Sequence, residues 1–290
     1  MAFNWQTFRT RTLTAAVFVV VMLAGLLWNQ WSFLILFSII HFGCWWEYFK
    51  LIEKIHKTFF HPYVKVGLMT TGYALMLWFC GPDYEINGYG LKQNLSLTVS
   101  VAGFVVLLFG IFQKNPIQLK AFGAAALGLL YISLSWGMMM DIRCTKILLV
   151  DVYSYDNWLY PIVIIASIWI NDTMAYLVGS LIGKHPLSKI SPKKTWEGTV
   201  GGMLLAIIVV GLLFSNLRTE VVVPGNETWY IIAAIAAVVG TLGDLLESKL
   251  KRMANVKDSG HIMPGHGGFL DRFDSLLLAT PAVWLYINFL

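Results

Sequence analysis

Nine long apolar runs set what this chain can fold into. They cover roughly residues 12–29, 31–49, 63–81, 95–112, 118–140, 158–180, 198–215, 228–246 and 270–289. Each has about 20 residues, the length a helix needs to cross a hydrocarbon core of about 30 Å. Within lipid every backbone N–H and C=O must find a partner inside the segment, so such runs read as helices and not as open strands. Composition agrees: of 290 residues 57% are hydrophobic and 13% charged, about half the charge of a soluble domain. The expectation is an all-α, polytopic transmembrane helix bundle of about nine helices, one integral membrane domain over residues 1–290. No internal repeat, low-complexity tract or soluble domain interrupts it.

Charge placement orients this bundle. Lys and Arg gather at the N-terminus (Arg9, Arg11) and in every second connection: Lys50, Lys54, Lys57 and Lys65; Lys114 and Lys120; Lys184, Lys189, Lys193 and Lys194; Lys249, Lys251, Arg252, Lys257 and Arg272. The other side carries only Lys92, Arg143, Lys146 and Arg218. Positive charge stays inside, which places the N-terminus in the cytoplasm and the C-terminus outside. One missed helix would break the alternation, so the bias also supports the count. The first run reads as a retained helix, because no small-x-small cleavage site follows it. Since position accounts for the basic residues, the net charge of +5 calls for no nucleic acid.

The remaining polar and aromatic residues of the outer loops and run ends take plain readings. Asp83, Glu85, Asp141, Asp151, Asp156, Glu220 and Glu227 read as solvated. Trp28, Trp31, Trp45, Trp46, Trp158 and Tyr160 lie near run ends and read as interfacial belts. Cys44, Cys80 and Cys144 have neither zinc spacing nor a disulfide framework and read as small core residues.

One segment breaks the apolar pattern. Asp244 to Asp274 holds 10 of the chain's 37 charged residues, two histidines and four glycines, between two lipid-grade flanks. Charge at the bilayer centre costs roughly 2.5–3.5 kcal/mol per group on insertion scales, so such a cluster needs a reason. Asp244, Ser248, Lys251 and Arg252 share one helical face. Lys257 to Gly268 is a Gly- and Pro-rich loop, in which Gly260, Gly265, Gly267 and Gly268 would let backbone N–H groups approach an anion. Asp271 and Asp274 then head the last helix. Carboxylates beside Lys, Arg and exposed N–H groups suit a hard divalent cation and a polyphosphate.

Two further stretches carry polar groups. Asn171 and Asp172 lie within an apolar run, where an ionisable residue is a functional candidate; Gly179 and Gly183 nearby would admit a close helix or a ligand. Ser191, the Lys193–Lys194 pair, Thr195 and Glu197 stand where another helix begins. Lysines beside a helix N-terminus suit phosphate, whether of a nucleotide or of a lipid headgroup.

The run S-K-L-K-R-x4-K-D-S-G-x2-M-P-G-H-G-G-F-L-D-R-F-D, Ser248 to Asp274, resembles the signature of the phosphatidate cytidylyltransferase (CDP-diacylglycerol synthase) family. S-P-K-K-T-W-E-G and N-D-T-x-A-Y-x-x-G resemble two further motifs of that family, in family order. Together they cover about the last 120 residues; the first 150 match only in being apolar. The resemblance implies the reaction CTP + phosphatidic acid → CDP-diacylglycerol + pyrophosphate, with a catalytic part over about residues 168–275. The lipid phosphate is already a nucleophile, and no Ser/His/Asp set has a supporting motif. What the reaction needs is charge neutralisation and in-line positioning at the α-phosphorus.

The resemblance also implies roles. Asp244 and Asp271 match the family's metal-binding aspartates, for Mg2+, and two carboxylates beside a triphosphate leave room for a second cation. Asp274 is a third ligand or stands behind the first two. Ser248, Lys251, Arg252 and Lys257 would contact phosphates, beside Asp258; His266, Gly267 and Gly268 would shape the phosphate loop. Arg272 would bridge the aspartates or reach the leaving group. Ser191, Lys193, Lys194, Thr195 and Glu197 would complete the site from the other loop, and Asn171 and Asp172 from within the membrane, Asp172 pairing with a cation. The partners would be CTP, phosphatidic acid entering sideways from the bilayer, and a second copy in a homodimer. The location would be a bacterial inner membrane, with the site facing the cytoplasm.

Relatives acting on other lipids remain alternatives. A polyprenol or phytol kinase would transfer the γ-phosphate to an alcohol, and an archaeal-lipid cytidylyltransferase would differ in the lipid backbone. The intact K-R-x4-K-D and H-G-G-x-x-D-R-x-D runs favour a cytidylyltransferase. A transporter would place charges near the midplane and tend to repeat internally; here they gather at run ends.

Overall fold

The computed structural model describes residues 5–113, 118–145, 147–149, 153–154, 158–217, 221–223, 225–262 and 267–289. Helices dominate: α1 Trp5–Leu27, α2 Gln30–His56, α3 Pro62–Trp78, α4 Ser96–Ile111, α5 Leu119–Ala126, α6 Ser135–Arg143, α7 Leu159–Ile182, α8 Trp196–Leu217, α9 Glu227–Met253 and α10 Leu270–Phe289. π-helical turns at Leu91–Leu95 and Leu129–Leu134 lead into α4 and α6. Among the described residues six helical segments are long and apolar enough to cross a membrane: Gln30–His56, Leu91–Ile111, Leu119–Arg143, Leu159–Ile182, Trp196–Asn216 and Glu227–Met253. This is a multi-pass membrane protein.

Local chemistry sets several ends. Asn29 and Ser32 form a reciprocal capping box at the start of α2, satisfying amides that open a helix. Pro62 begins α3 with His61 as its cap, where proline's missing N–H does no harm. Five short strands among the described residues were not expected from the sequence. β1 (Glu85–Ile86) and β2 (Tyr89–Gly90) form an antiparallel hairpin through Asn87 and Gly88, both at positive φ, the backbone a tight hairpin requires. β3 (Ile147–Leu149) pairs antiparallel with β4 (Tyr153–Ser154) and β5 (Val221–Val223), in the order β4-β3-β5.

The chain forms two compact units, Met1–Gly137 with Leu250–Phe273, and Met138–Lys249 with Asp274–Leu290. In the first, aromatic residues build the core: Phe37 packs on Phe33 and Trp136, and Phe273 on Trp136. α3 and α4 approach closely because Gly67, Gly103 and Gly110 face backbone atoms of Leu107, Thr71 and Val64. Lipid gives helices no hydrophobic drive to associate, so small residues and close backbone packing do the work. Trp45, read as an interfacial belt residue, is instead fully buried, and its indole N–H donates to the Ser133 hydroxyl at 2.9 Å. Trp28 and Trp46 are exposed as a belt requires.

In the second unit α7 and α8 repeat the small-residue device. Gly198 meets Ala175 and Gly179, and Gly202 meets Ala175 and the Asn171 carbonyl. Of the two options for Gly179, a close helix or a ligand, the fold uses it for a helix. Tyr160, also read as a belt residue, is buried against Trp229. Asp141, read as solvated, lies in α6 and accepts the Trp284 indole N–H at 2.7 Å. Asp151, Asp156, Glu220, Lys114, Lys146 and Arg218 lie outside the described residues.

Candidate active site

The motif run ends α9, passes through the described residues 254–262 and 267–269 and opens α10. Its best-defined feature is Asp271 in the first turn of α10. Asp271 Oδ1 accepts from the Lys251 ammonium at 2.7 Å. Its Oδ2 accepts from the Ser259 amide, the Ser259 hydroxyl and the Gly268 amide, each at 2.9 Å. The Lys251 ammonium and two backbone amides thus hold one carboxylate, with the Ser259 hydroxyl in reach as a further donor. The pair is largely buried, with side-chain exposures of 14% for Lys251 and 8% for Asp271, where water screens the attraction little. Gly267 beside it has φ +83°, in the region that favours glycine, and any side chain there would strike the Asp271 carboxylate.

The anions that this loop approaches are the chain's own. Gly268 donates its amide to Asp271. Glu47, a fully buried residue of α2, accepts the amides of Phe269 at 3.0 Å and Leu270 at 2.9 Å and the Ser259 hydroxyl at 2.7 Å. Gly260 and Gly268 both lie against its carboxylate with no room for a Cβ. Glu47 thus occupies the N-terminus of α10, where unpaired amides and the helix dipole favour negative charge. Glu47 stands outside the motif stretches that mark the site in the sequence. The available signal was an acidic residue inside the apolar run 31–49, the same signal that marked Asp172.

Next to this network is a hollow of about 560 Å3 whose lining includes Lys50, Lys54, Lys257, Asp258, Ser259 and His261. Lys257, Asp258, Arg252 and Arg272 are exposed. His266 lies outside the described residues.

In the second unit Lys194 forms an ion pair with Asp244 of α9, both side chains partly exposed. Thr195 caps α8 by accepting the Gly198 amide at 3.2 Å. Glu197 turns back on its own loop. It accepts the amides of Lys184 and His185, each at 3.2 Å, and faces the His185 ring. Lys193 is exposed and Ser191 half-buried, as is Ser248 on α9. Asn171 is buried in α7, its amide 3.5 Å from the exposed Asp172 carboxylate. Asp274 is buried, one carboxylate oxygen accepting the Ser275 amide at 2.6 Å, and Glu247 is fully buried in α9.

Among the described residues no three His, Cys, Asp or Glu side chains converge into a ready metal cage. Asp271 in the first unit is held by Lys251, and Asp244 in the second by Lys194. A single carboxylate oriented in this way fits Mg2+, which can take one carboxylate and complete its shell with water and substrate phosphates.

Comparison with known proteins adds identity to geometry. Residues 9–290 match the model of the cytidylyltransferase family. A phosphatidate cytidylyltransferase of Bacillus subtilis is 36% identical over 219 residues, 73% of this chain and 76% of the relative. That of Staphylococcus saprophyticus is 30% identical over 94% of this chain and 96% of its own. That of Haemophilus influenzae is 31% identical over the same shares.

Proposed function

The chain belongs to the cytidylyltransferase family, and from that premise we propose that it makes CDP-diacylglycerol from CTP and phosphatidic acid. The observation that carries the reading is likeness to phosphatidate cytidylyltransferases along almost the whole chain. The ordered Asp271 network lies within the matching motif.

A phosphate oxygen of phosphatidic acid attacks the α-phosphorus of CTP. The new P–O bond forms as the bond to the β-phosphate bridging oxygen breaks, and pyrophosphate leaves with that electron pair. The protein's part is positioning and charge stabilisation. Lys257 and Arg252 are exposed cations able to meet phosphate oxygens. Lys251 and Lys194 hold Asp271 and Asp244 as oriented carboxylates. Mg2+, for which each of these two aspartates is a proposed ligand, supplies neutralisation of the triphosphate and the departing pyrophosphate when bound.

The charge bias supports nine crossings with the N-terminus inside and a site facing the cytoplasm. The lipid's acyl chains stay in the bilayer while its phosphate lies at the surface. The family resemblance supports a homodimer. The test is turnover by detergent-purified protein given labelled CTP, phosphatidic acid and Mg2+, with Asp271→Asn beside the wild type. CDP-lipid from the wild type alone supports the reaction. Phosphorylation of an offered polyprenol without CDP-lipid moves the assignment to a kinase.

A further inference from the structure

We propose that Glu47 is a positioning residue of this site, holding the K-D-S-G loop and the head of α10 in their working geometry. The inference rests on the cytidylyltransferase reading for its kinetic consequence and on geometry for its substance.

Glu47 has no exposure to solvent that would favour its charge: it is 1% exposed. Buried polar groups persist where they are hydrogen-bonded. Here the donors to Glu47, namely Ser259, Phe269 and Leu270, belong to the motif region more than 200 residues later. Two amides at the head of α10 and one side chain from the loop thus converge on one carboxylate. Gly260 and Gly268 are small where that carboxylate lies.

Ser259 links Glu47 to the proposed cation ligand. Its hydroxyl lies 2.7 Å from Glu47 Oε2 and 2.9 Å from Asp271 Oδ2. A serine hydroxyl carries one hydrogen, so it donates to one of these carboxylates at a time. The Ser259 amide meanwhile stays on Asp271. Glu47 therefore helps set where Asp271 points and where the neighbouring Lys257 and Asp258 stand in the wall of the basic hollow. An acid of α2 with a purely local role bonds to its own surroundings, as the partly buried Glu53 does with Phe60 and Lys65.

The test compares the full-length variants Glu47→Gln, Ser259→Ala and Glu53→Gln. Glu47→Gln keeps the volume but turns one acceptor into a donor facing donors. KM for CTP is expected to rise about tenfold in Glu47→Gln and several-fold in Ser259→Ala, the effect of one or two lost hydrogen bonds. KM for phosphatidic acid should stay within about twofold in both. A second readout needs no turnover: trypsin should cut after Lys257 faster in Glu47→Gln than in wild type or Glu53→Gln at equal thermal stability. If the wild type makes no CDP-lipid, the proposed reaction fails and the trypsin comparison still decides this inference. Equal cutting in all chains, or a CTP effect in Glu53→Gln as large as in Glu47→Gln, overturns it. Should Glu47→Gln fail to fold, Ser259→Ala decides, since it leaves both amide bonds to Glu47 in place.

Discussion

Lys194, from the loop that opens α8, forms an ion pair with Asp244 of α9, joining two separate sequence motifs within one unit. Both side chains are partly exposed, so the pair adds little to stability, and its value lies in orientation. Lys194→Ala is expected to lower kcat/KM by about tenfold or more with little change in melting temperature. Lys194→Arg keeps the charge and should retain more activity. A Lys194→Ala chain with wild-type kinetics would remove Lys194 from the site. The comparison is steady-state turnover beside a thermal melt of each variant.

Asp271 faces the opposite balance. Its pair with Lys251 is largely buried, and removing one partner of a buried pair costs roughly 3–5 kcal/mol because the other charge is left without compensation. Asp271→Asn should therefore lose activity by at least about 100-fold and also melt lower. Replacing both residues, Asp271→Asn with Lys251→Met, should recover melting temperature but not turnover. Recovery of turnover in the double variant would make the aspartate structural only.

The sequence made the helices legible and left most partnerships hidden. Length and apolarity mark a membrane helix without help from the rest of the fold, and the spans Leu159–Ile182 and Glu227–Met253 fall where the runs lie. The π-helical turn Leu129–Leu134 escaped, since apolarity is blind to hydrogen-bond register. The strands β3 to β5, each of two or three residues, are too short to show a period. Lys251, Asp271, Lys194 and Asp244 were legible as motif residues, but which lysine meets which aspartate depends on tertiary packing. Trp45 and Trp46 are neighbours of the same type, one buried and one exposed, and only the helix face distinguishes them. Glu47 hid among aromatic residues for the same reason.

Ser133 tests the core of the first unit. Its hydroxyl lies 3.0 Å from His41 Nε2 and accepts the Trp45 indole N–H at 2.9 Å, all three residues being buried. Ser133→Ala leaves that indole without its acceptor, and an unsatisfied buried polar group costs about 1–3 kcal/mol. The expected result is a lower melting temperature with kinetic constants near those of wild type. A change in KM at unchanged stability would contradict this structural role.

Two glycines should respond in opposite directions to a larger side chain. A Cβ on Gly202 would stand 2.7 Å from the Ala175 amide nitrogen and 2.8 Å from the Asn171 carbonyl oxygen. Those are backbone atoms of α7, so the helices would have to part, and overpacking of this kind costs about 1–3 kcal/mol. Gly123 in α5 has nothing within 4 Å of the same position, and alanine in a helix is favoured over glycine by about 0.5–1 kcal/mol. Gly202→Ala should therefore lower the melting temperature in detergent, while Gly123→Ala raises it slightly. If Gly202→Ala melts no lower than wild type, close α7–α8 packing through its small residues cannot be what holds that pair together.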